Sequence, residues 1–315
     1  MTRPDFQDIE DALVAAAGPD RVRRGMPLAA LTTFRVGGPA EWLVDVSTAD
    51  ELRRVIAVAG AAGAPVTVIG GGSNLLVADA GVKGVVIRAR LMDLSQPKPD
   101  MVRAGAGVTI NGLVRWTIGR GLASLEAWAG TPGTVGGAIY GNAHFGGRNI
   151  SELVVGVQVM DQSGRTIELA RGDMEFAYDT SRLQRTKEVL VWAEFAVENG
   201  ESAALREIAR ASLAHRKRTQ PLDVPSAGCM FQNPDRVRDG VPDDVPASAG
   251  ALIDRAGLKG FQVGGAMISP VHCNFIVNAG RATAADVAAL IERARDAVRD
   301  KYRIELRNEV VKIGF

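Results

Sequence analysis

The chain has 315 residues, of which 46% are hydrophobic and 23% charged, enough to bury a sizeable core and to form two or three domains. Its 37 Lys and Arg against 36 Asp and Glu give a formal charge of +1, which excludes a net electrostatic pull toward nucleic acid or an anionic membrane and leaves an anionic substrate to a few local cations. Two cysteines without CxxC spacing and only three histidines speak against a disulfide scaffold and against a metal site.

The N-terminus carries Asp5, Asp8, Glu10 and Asp11 where a secretory signal would be basic and then apolar, and no stretch is long and uncharged enough to span a bilayer. The expected location is the cytoplasm. Phe6, Ile9 and Leu13 then space one apolar face of a short amphipathic helix. A strand Trp42 to Val46 leads into a helix opened by the capping-box pair Thr48 and Glu51, which returns through Pro65 to a strand Val66 to Ile69. Next, the chain breaks into Gly70-Gly71-Gly72-Ser73-Asn74. Short strands near Val85 to Arg88 and Val102 to Ala104 and a helix over Thr109 to Gly119 follow.

From Val154 to Val197 the pattern is β-rich, with strands Val157 to Val159 and Thr166 to Leu169 around the turn Gln162-Ser163-Gly164, and a further strand Val189 to Val197. A helix over Ala203 to Lys217 closes this region. Gln220 to Pro246, rich in Pro, Asp and Gly, reads as loop. The rest predicts a helix Ala249 to Ala256, strands around Phe261 to Ile268 and Asn274 to Val277, a long helix Ala284 to Tyr302 and a last strand Glu309 to Ile313. The mixture is α+β, without internal repeats.

Thirty-six glycines exceed what a core needs, and many cluster in Gly70-Gly71-Gly72, Gly105-Ala106-Gly107 and Gly130 to Gly137. One glycine run alone is a tight turn. Three in one half of the chain, each after a strand, suggest a long dinucleotide threaded between loops whose N–H groups face a pyrophosphate, with Ser73, Asn74 and Thr134 as additional donors. The first cluster is not a Rossmann fingerprint: Leu75 stands where the third glycine belongs, and Leu76 and Val77 continue as strand.

Arg216-Lys217-Arg218 places three cations before Pro221, shortly ahead of Gly228-Cys229 and Asn233. Basic residues at a helix end can simply complement the macrodipole. Beside a glycine-flanked Cys and an Asn they also suit a diphosphate-bearing substrate presented to an acidic group. His272, Cys273 and Asn274 lie in an apolar run and are expected to be structural.

At these residues the chain resembles the UDP-N-acetylenolpyruvoylglucosamine reductase family. The resemblance is carried by Thr33 to Gly38, Gly71 to Leu76, Pro132 to Ala138, Ser226 to Pro234, Ser248 to Asp254, Ile268 to Phe275 and Glu305 to Val310, in family order. It implies a non-covalent FAD bound by a PCMH-type region like that of vanillyl-alcohol oxidase, in two α+β subdomains at 1–84 and 85–199, and a substrate-binding domain at 200–308. The strand 309–315 would return to the first subdomain. Because the path from Asn233 to Ser248 is short, the compact family type, without an extra loop, is expected.

The activity implied is NADPH-dependent reduction of the enolpyruvyl group of a UDP-amino sugar, a step of peptidoglycan precursor synthesis, by a protein acting as a monomer. On the glycine-cluster reading, Gly70, Gly71, Gly72, Ser73, Asn74, Gly105, Gly107, Pro132, Gly133, Thr134, Gly136 and Gly137 would bind the cofactor, while Arg216 and Asn233 match family positions near the substrate. Cys229 would be the proton donor and Glu309 the catalytic glutamate. Two departures stand out. Where the family has Asn-Ala-Gly-Ala and an aromatic, this chain has Asn142-Ala143-His144-Phe145, one residue shorter. Where the family has Tyr-Arg-x-Ser, with an Arg that stabilises the enolate, this chain reads Tyr178-Asp179-Thr180-Ser181, making Arg182 the candidate replacement, followed by Arg185 and Arg148. The alternatives are another FAD-dependent sugar or alcohol oxidoreductase and a catalytically silent nucleotide-binding relative.

Overall fold

The computed structural model describes residues 6–315, with Phe6 described by its backbone alone. Asp5 and the Phe6 side chain therefore lie outside the described residues, whereas Ile9 and Leu13 of the expected apolar face are buried on the helix Phe6–Ala17. The chain divides into two compact units: one built from the segment ending at Met26, Ala40–Gly71 and Lys83–Ala214, the other from Pro27–Pro39, Gly72–Val82 and His215–Phe315. This differs from the expected division at 84 and 199, because domains follow shared cores and not chain order. Phe34, Val36 and Leu76 are buried in one cluster with Phe231, Leu252 and Leu290, so their segments join the C-terminal unit.

In the first unit, one sheet takes the order Val22–Arg24, Ala40–Val46, Val82–Ala89, Val66–Ile69. The helix Ala49–Ala61 buries Leu52, Val55 and Ile56. Thr48 caps it by accepting the Glu51 N–H at 3.1 Å, but the Glu51 carboxylate reaches the Ser47 N–H at 2.7 Å and Arg21 at 2.5 Å instead of closing the expected box. A second, antiparallel sheet runs Thr166–Ala170, Val154–Met160, Val189–Ala196, Met101–Gly105, Leu94–Lys98. The unexpected strand Leu94–Lys98 contains Pro97, which lacks an N–H and is tolerated because the strand is at the sheet edge.

The second unit holds the antiparallel sheet Ser226–Cys229, Phe275–Asn278, Ala266–Ile268, Gln262–Val263 and the helices Ala249–Arg255 and Ala284–Tyr302. Thr283 and Asp286 form a capping box at the long helix, whose Ala284 and Ala285 N–H groups also donate to the Asp79 carboxylate at 2.8 and 2.9 Å. The last strand, Val311–Ile313, pairs in parallel with Leu75–Val77, and both belong to this second unit. Among the described residues no helix is long and apolar enough to cross a membrane, and no cluster of His, Cys, Asp or Glu is placed to hold a metal.

Candidate active site

Three glycine-rich stretches of the first unit converge. A Cβ added at Gly71 would stand 2.9 Å from the Gly133 Cα, and one at Gly70 would strike the Thr134 hydroxyl, so the two loops meet backbone to backbone. Pro132 leads into Gly133, whose φ of +96° favours glycine. Hydrogen bonds bring in the third stretch: Val135 N–H donates to Val108 at 2.8 Å, Gly136 N–H to Ala106 at 2.8 Å and Ile110 N–H to Gly133 at 3.1 Å. A Cβ added at Gly105 would strike the Leu91 carbonyl, and one at Gly107 would stand 2.7 Å from the Leu91 nitrogen, which accounts for their lack of a side chain.

Among the described residues, the N–H groups of Gly71, Gly133 and Thr134 donate to no protein acceptor, and the same holds for Gly72 and Ser73 in the second unit. Unengaged N–H groups on glycine-rich backbone form an anion cradle, and those of Gly71, Gly133 and Thr134 within the first unit fit the pyrophosphate of FAD. Three of the expected cofactor residues have other duties. Gly136 and Gly137 lie in a helix, Val135–Tyr140, where their N–H groups go to Ala106 and to the capping Thr134 hydroxyl at 3.3 Å. Asn74 donates its side-chain amide to the Glu309 carbonyl at 3.1 Å.

Beyond that short helix lies a loop cluster of the same unit. Asn142, buried with φ +43°, clamps it by donating to the Ala177 carbonyl at 2.8 Å and accepting the Ser151 N–H at 3.3 Å. Ser181 donates to the Tyr140 carbonyl at 2.8 Å. Arg182, expected to face the enolate, instead forms a bidentate pair with Glu188 at 2.9 and 2.9 Å, and Glu188 is held below its usual carboxylate range chiefly by that bond. Arg182's charge is thus already compensated. Arg185 engages Glu175 at 2.7 and 2.6 Å, and Arg148 stands 3.7 Å from Glu152. Asp179, half-buried with a side chain only 8% exposed and φ +54°, pairs at 3.0 Å with Nδ1 of His144, whose ring lies 5.1 Å from that of Tyr178. No sequence signal marked this pair, since 35 positions separate residues 144 and 179 along the chain.

The second unit gathers Cys229, Glu309 and Arg216. Gly228, at φ +77°, turns the end of the strand so that Cys229 is left half-buried. The Glu309 N–H donates to the carbonyl of Met230, next to Cys229, at 2.9 Å, so the glutamate backbone is fixed from both sides by Met230 and Asn74. Arg216, on the helix Ser202–Thr219, is buried, and desolvation pushes its guanidinium down to about 10 against an attraction to the Cys229 sulfur. Asn233 is exposed, and its carbonyl oxygen accepts the Ala249 N–H at 3.0 Å, so it caps the helix Ala249–Arg255 beside Ser248. The expectation for His272, Cys273 and Asn274 agrees with their geometry: buried Asn274 bridges both backbone groups of Phe231 at 3.0 and 2.7 Å, and burial pushes His272 down and the Cys273 thiol up.

Comparison with known proteins gives a consistent result. Residues 220–313 match the family model described as "UDP-N-acetylenolpyruvoylglucosamine reductase, C-terminal domain", and residues 40–170 match "FAD binding domain". The chain is 40% identical to UDP-N-acetylenolpyruvoylglucosamine reductase 2 of Symbiobacterium thermophilum over 93% of its own length and 92% of the relative's. With the reductase of Bacillus subtilis it shares 39% identity, covering 93% and 94%. The crystal structure of UDP-N-acetylenolpyruvylglucosamine reductase from Thermus caldophilus superposes with a TM-score of 0.78 at 34% identity, covering 93% of this chain and 99% of the other.

Proposed function

The chain belongs to the UDP-N-acetylenolpyruvoylglucosamine reductase family, and from that premise we propose how its own residues carry the reaction. It is an FAD-dependent oxidoreductase that uses NADPH to reduce the enolpyruvyl group of UDP-N-acetylenolpyruvoylglucosamine to UDP-N-acetylmuramate, in peptidoglycan precursor synthesis. Bound FAD supplies hydride, drawn from NADPH, to the terminal methylene carbon of the enolpyruvyl group.

Gly71, Gly133 and Thr134 hold the pyrophosphate through their N–H groups. The Cys229 thiol gives a proton to the carbon beside the substrate carboxylate, so that hydride and proton together saturate the double bond. A thiol hydrogen can be given directly to a carbanionic carbon within reach, without an intervening base. Glu309 orients that donor or a water on it. Arg216, cationic and buried, attracts the anionic sugar nucleotide. Asn233 reaches the sugar through its amide nitrogen, since its oxygen caps a helix. The setting is the cytoplasm, where NADPH is at hand.

The observation that carries these assignments is the bond from Glu309 N–H to Met230, at 2.9 Å, which fixes the glutamate next to Cys229 within one unit. The test is anaerobic: NADPH should bleach the bound flavin, and the enolpyruvyl sugar nucleotide, but not a simple enol, should restore its colour. A flavin that NADPH reduces and that simple enols reoxidise equally well would favour a broader oxidoreductase.

A further inference from the structure

We propose that Arg295 is a positioning residue: by holding Leu306 and Asn308 it fixes the orientation of Glu309 relative to Cys229. The inference rests on the reading above, in which Glu309 orients the proton donor, and it concerns the second unit alone. From the end of the long helix at Tyr302 to the strand Val311–Ile313 the chain has no regular ladder, only an isolated bridge between Asn308 and Phe231. Single bonds set its place. Gln232 N–H donates to the Arg307 carbonyl at 2.9 Å and Glu309 N–H to that of Met230 at 2.9 Å, so the segment hangs on residues 230–232.

A segment hung from one stretch of backbone can rock about the line of those bonds, and a fixed catalytic geometry needs an anchor off that line. Arg295, on the helix Ala284–Tyr302, supplies it. Its Nε donates to the Leu306 carbonyl at 3.2 Å and its Nη2 to the Asn308 side-chain oxygen at 2.7 Å, while the guanidinium carbon stands 5.9 Å from the centre of the Phe231 ring. One planar fork thus meets both segments, the one that carries Glu309 and the one that carries Cys229. In extended backbone neighbouring side chains point to opposite faces, so a hold on Asn308 constrains Glu309 without filling the space in front of it.

Stability alone gives little reason for a guanidinium here. The Arg295 side chain is only 17% exposed, on a helix that otherwise buries Leu290, Ile291, Ala294 and Val298. At such a site an apolar side chain of like volume commonly holds a fold as well as an ion pair does, or better. Glu292 and Glu305 balance the charge, the latter at 3.4 Å, so the cation is not left to draw in a substrate anion. What a planar set of donors adds is reach to a backbone carbonyl and a side-chain amide at once. Asp239 braces the same segment from its exposed side by accepting Arg307 at 2.8 and 3.3 Å.

The experiment takes the FAD-loaded enzyme through its two half-reactions anaerobically, with flavin content and melting temperature recorded for each variant. Arg295→Met should slow reoxidation by saturating enolpyruvyl sugar nucleotide at least about tenfold, while the substrate concentration for half-maximal rate and the rate of flavin reduction by NADPH stay within about threefold of wild type. Arg295→Lys keeps the charge, but its single nitrogen cannot span both acceptors, and it should recover part of the rate. Asn308→Ala should act in the same direction, which keeps the test open should Arg295→Met fold poorly. Because Arg295 acts through Glu309, adding Arg295→Met to Glu309→Gln should slow reoxidation by less than about twofold beyond Glu309→Gln alone. Full additivity of the two, equal slowing of both half-reactions, or wild-type reoxidation in Arg295→Met and Asn308→Ala beside a slow Glu309→Gln would overturn the proposal. If Glu309→Gln itself reoxidises like wild type, the reading of Glu309 fails and takes the proposal with it.

Discussion

Cys229 and Arg182 illustrate how differently two residues fare once their neighbours are known. Cys229 sits half-buried at a strand end turned by Gly228, and in the proposed role of proton donor an oxygen could replace its sulfur. Cys229→Ser should therefore keep measurable turnover, and Cys229→Ala should lose about a hundredfold or more in substrate reduction, with flavin reduction by NADPH unchanged. Equal loss in both half-reactions would assign the thiol to folding. Arg182 is tied to Glu188, whose side chain is 7% exposed, so Arg182→Ala leaves that carboxylate without its cation, held only by the Thr186 hydroxyl, and should cost about 2 kcal/mol of stability at pH 7. Glu188's folded-state pKa is lowered, so the pair's contribution is present above the ordinary value of 4.5 and fades as pH falls through the lowered one. Thermal melts should show the gap between wild type and Arg182→Ala closing in acid. A gap that widens there would refute this assignment.

Among the elements, the loops at Gly70–Gly71 and Gly133–Thr134 matter most, because their backbones touch. Gly71→Ala brings a Cβ to 2.9 Å from the Gly133 Cα, and neither backbone can yield cheaply. Retention of FAD on dilution, followed by flavin fluorescence, should weaken by at least about tenfold, or 1.4 kcal/mol, while circular dichroism stays native. Undiminished retention would exclude this contact from the cradle. Most helices and strands were legible from periodicity and caps, such as Thr48 before Ala49–Ala61 and Thr109 before Ile110–Gly119. Several were not, and two of them show why. Val135–Tyr140 contains two adjacent glycines that oppose a helix by propensity, and it forms because Thr134 caps it and Gly136 fits against Ala106. Leu94–Lys98 contains a proline and pairs only as an edge.

At the scale of the molecule, the last strand ties the second unit together through long-range pairing. Val311 N–H donates to the Asn74 carbonyl at 3.0 Å, and Val311–Ile313 lies parallel to Leu75–Val77. Val311→Pro removes that donor, and calorimetry should show a melting temperature several degrees lower, at about 2–4 °C per kcal/mol for a protein of this size. An unchanged melt would mean the strand is dispensable. The flavin is expected to be non-covalent: its cradle is made of backbone N–H groups, and His144 is engaged by Asp179. Acid or heat denaturation should release colour into the supernatant, and colour retained by the precipitate would disprove this.

By itself the sequence determined what is encoded locally or by motif: the α+β class, most elements, and the family through ordered stretches from Thr33 to Val310. Caps, alternation and glycine torsions act within a few residues, so they can be read without a fold. Only the tertiary structure decided which atoms face each other. It moved Pro27–Pro39 and Gly72–Val82 into the C-terminal unit, where Phe34 and Leu76 find their core. It also gave Arg182 to Glu188 and Asp179 to His144, because a guanidinium takes the nearest buried carboxylate and nearness across 35 positions is a property of the folded chain.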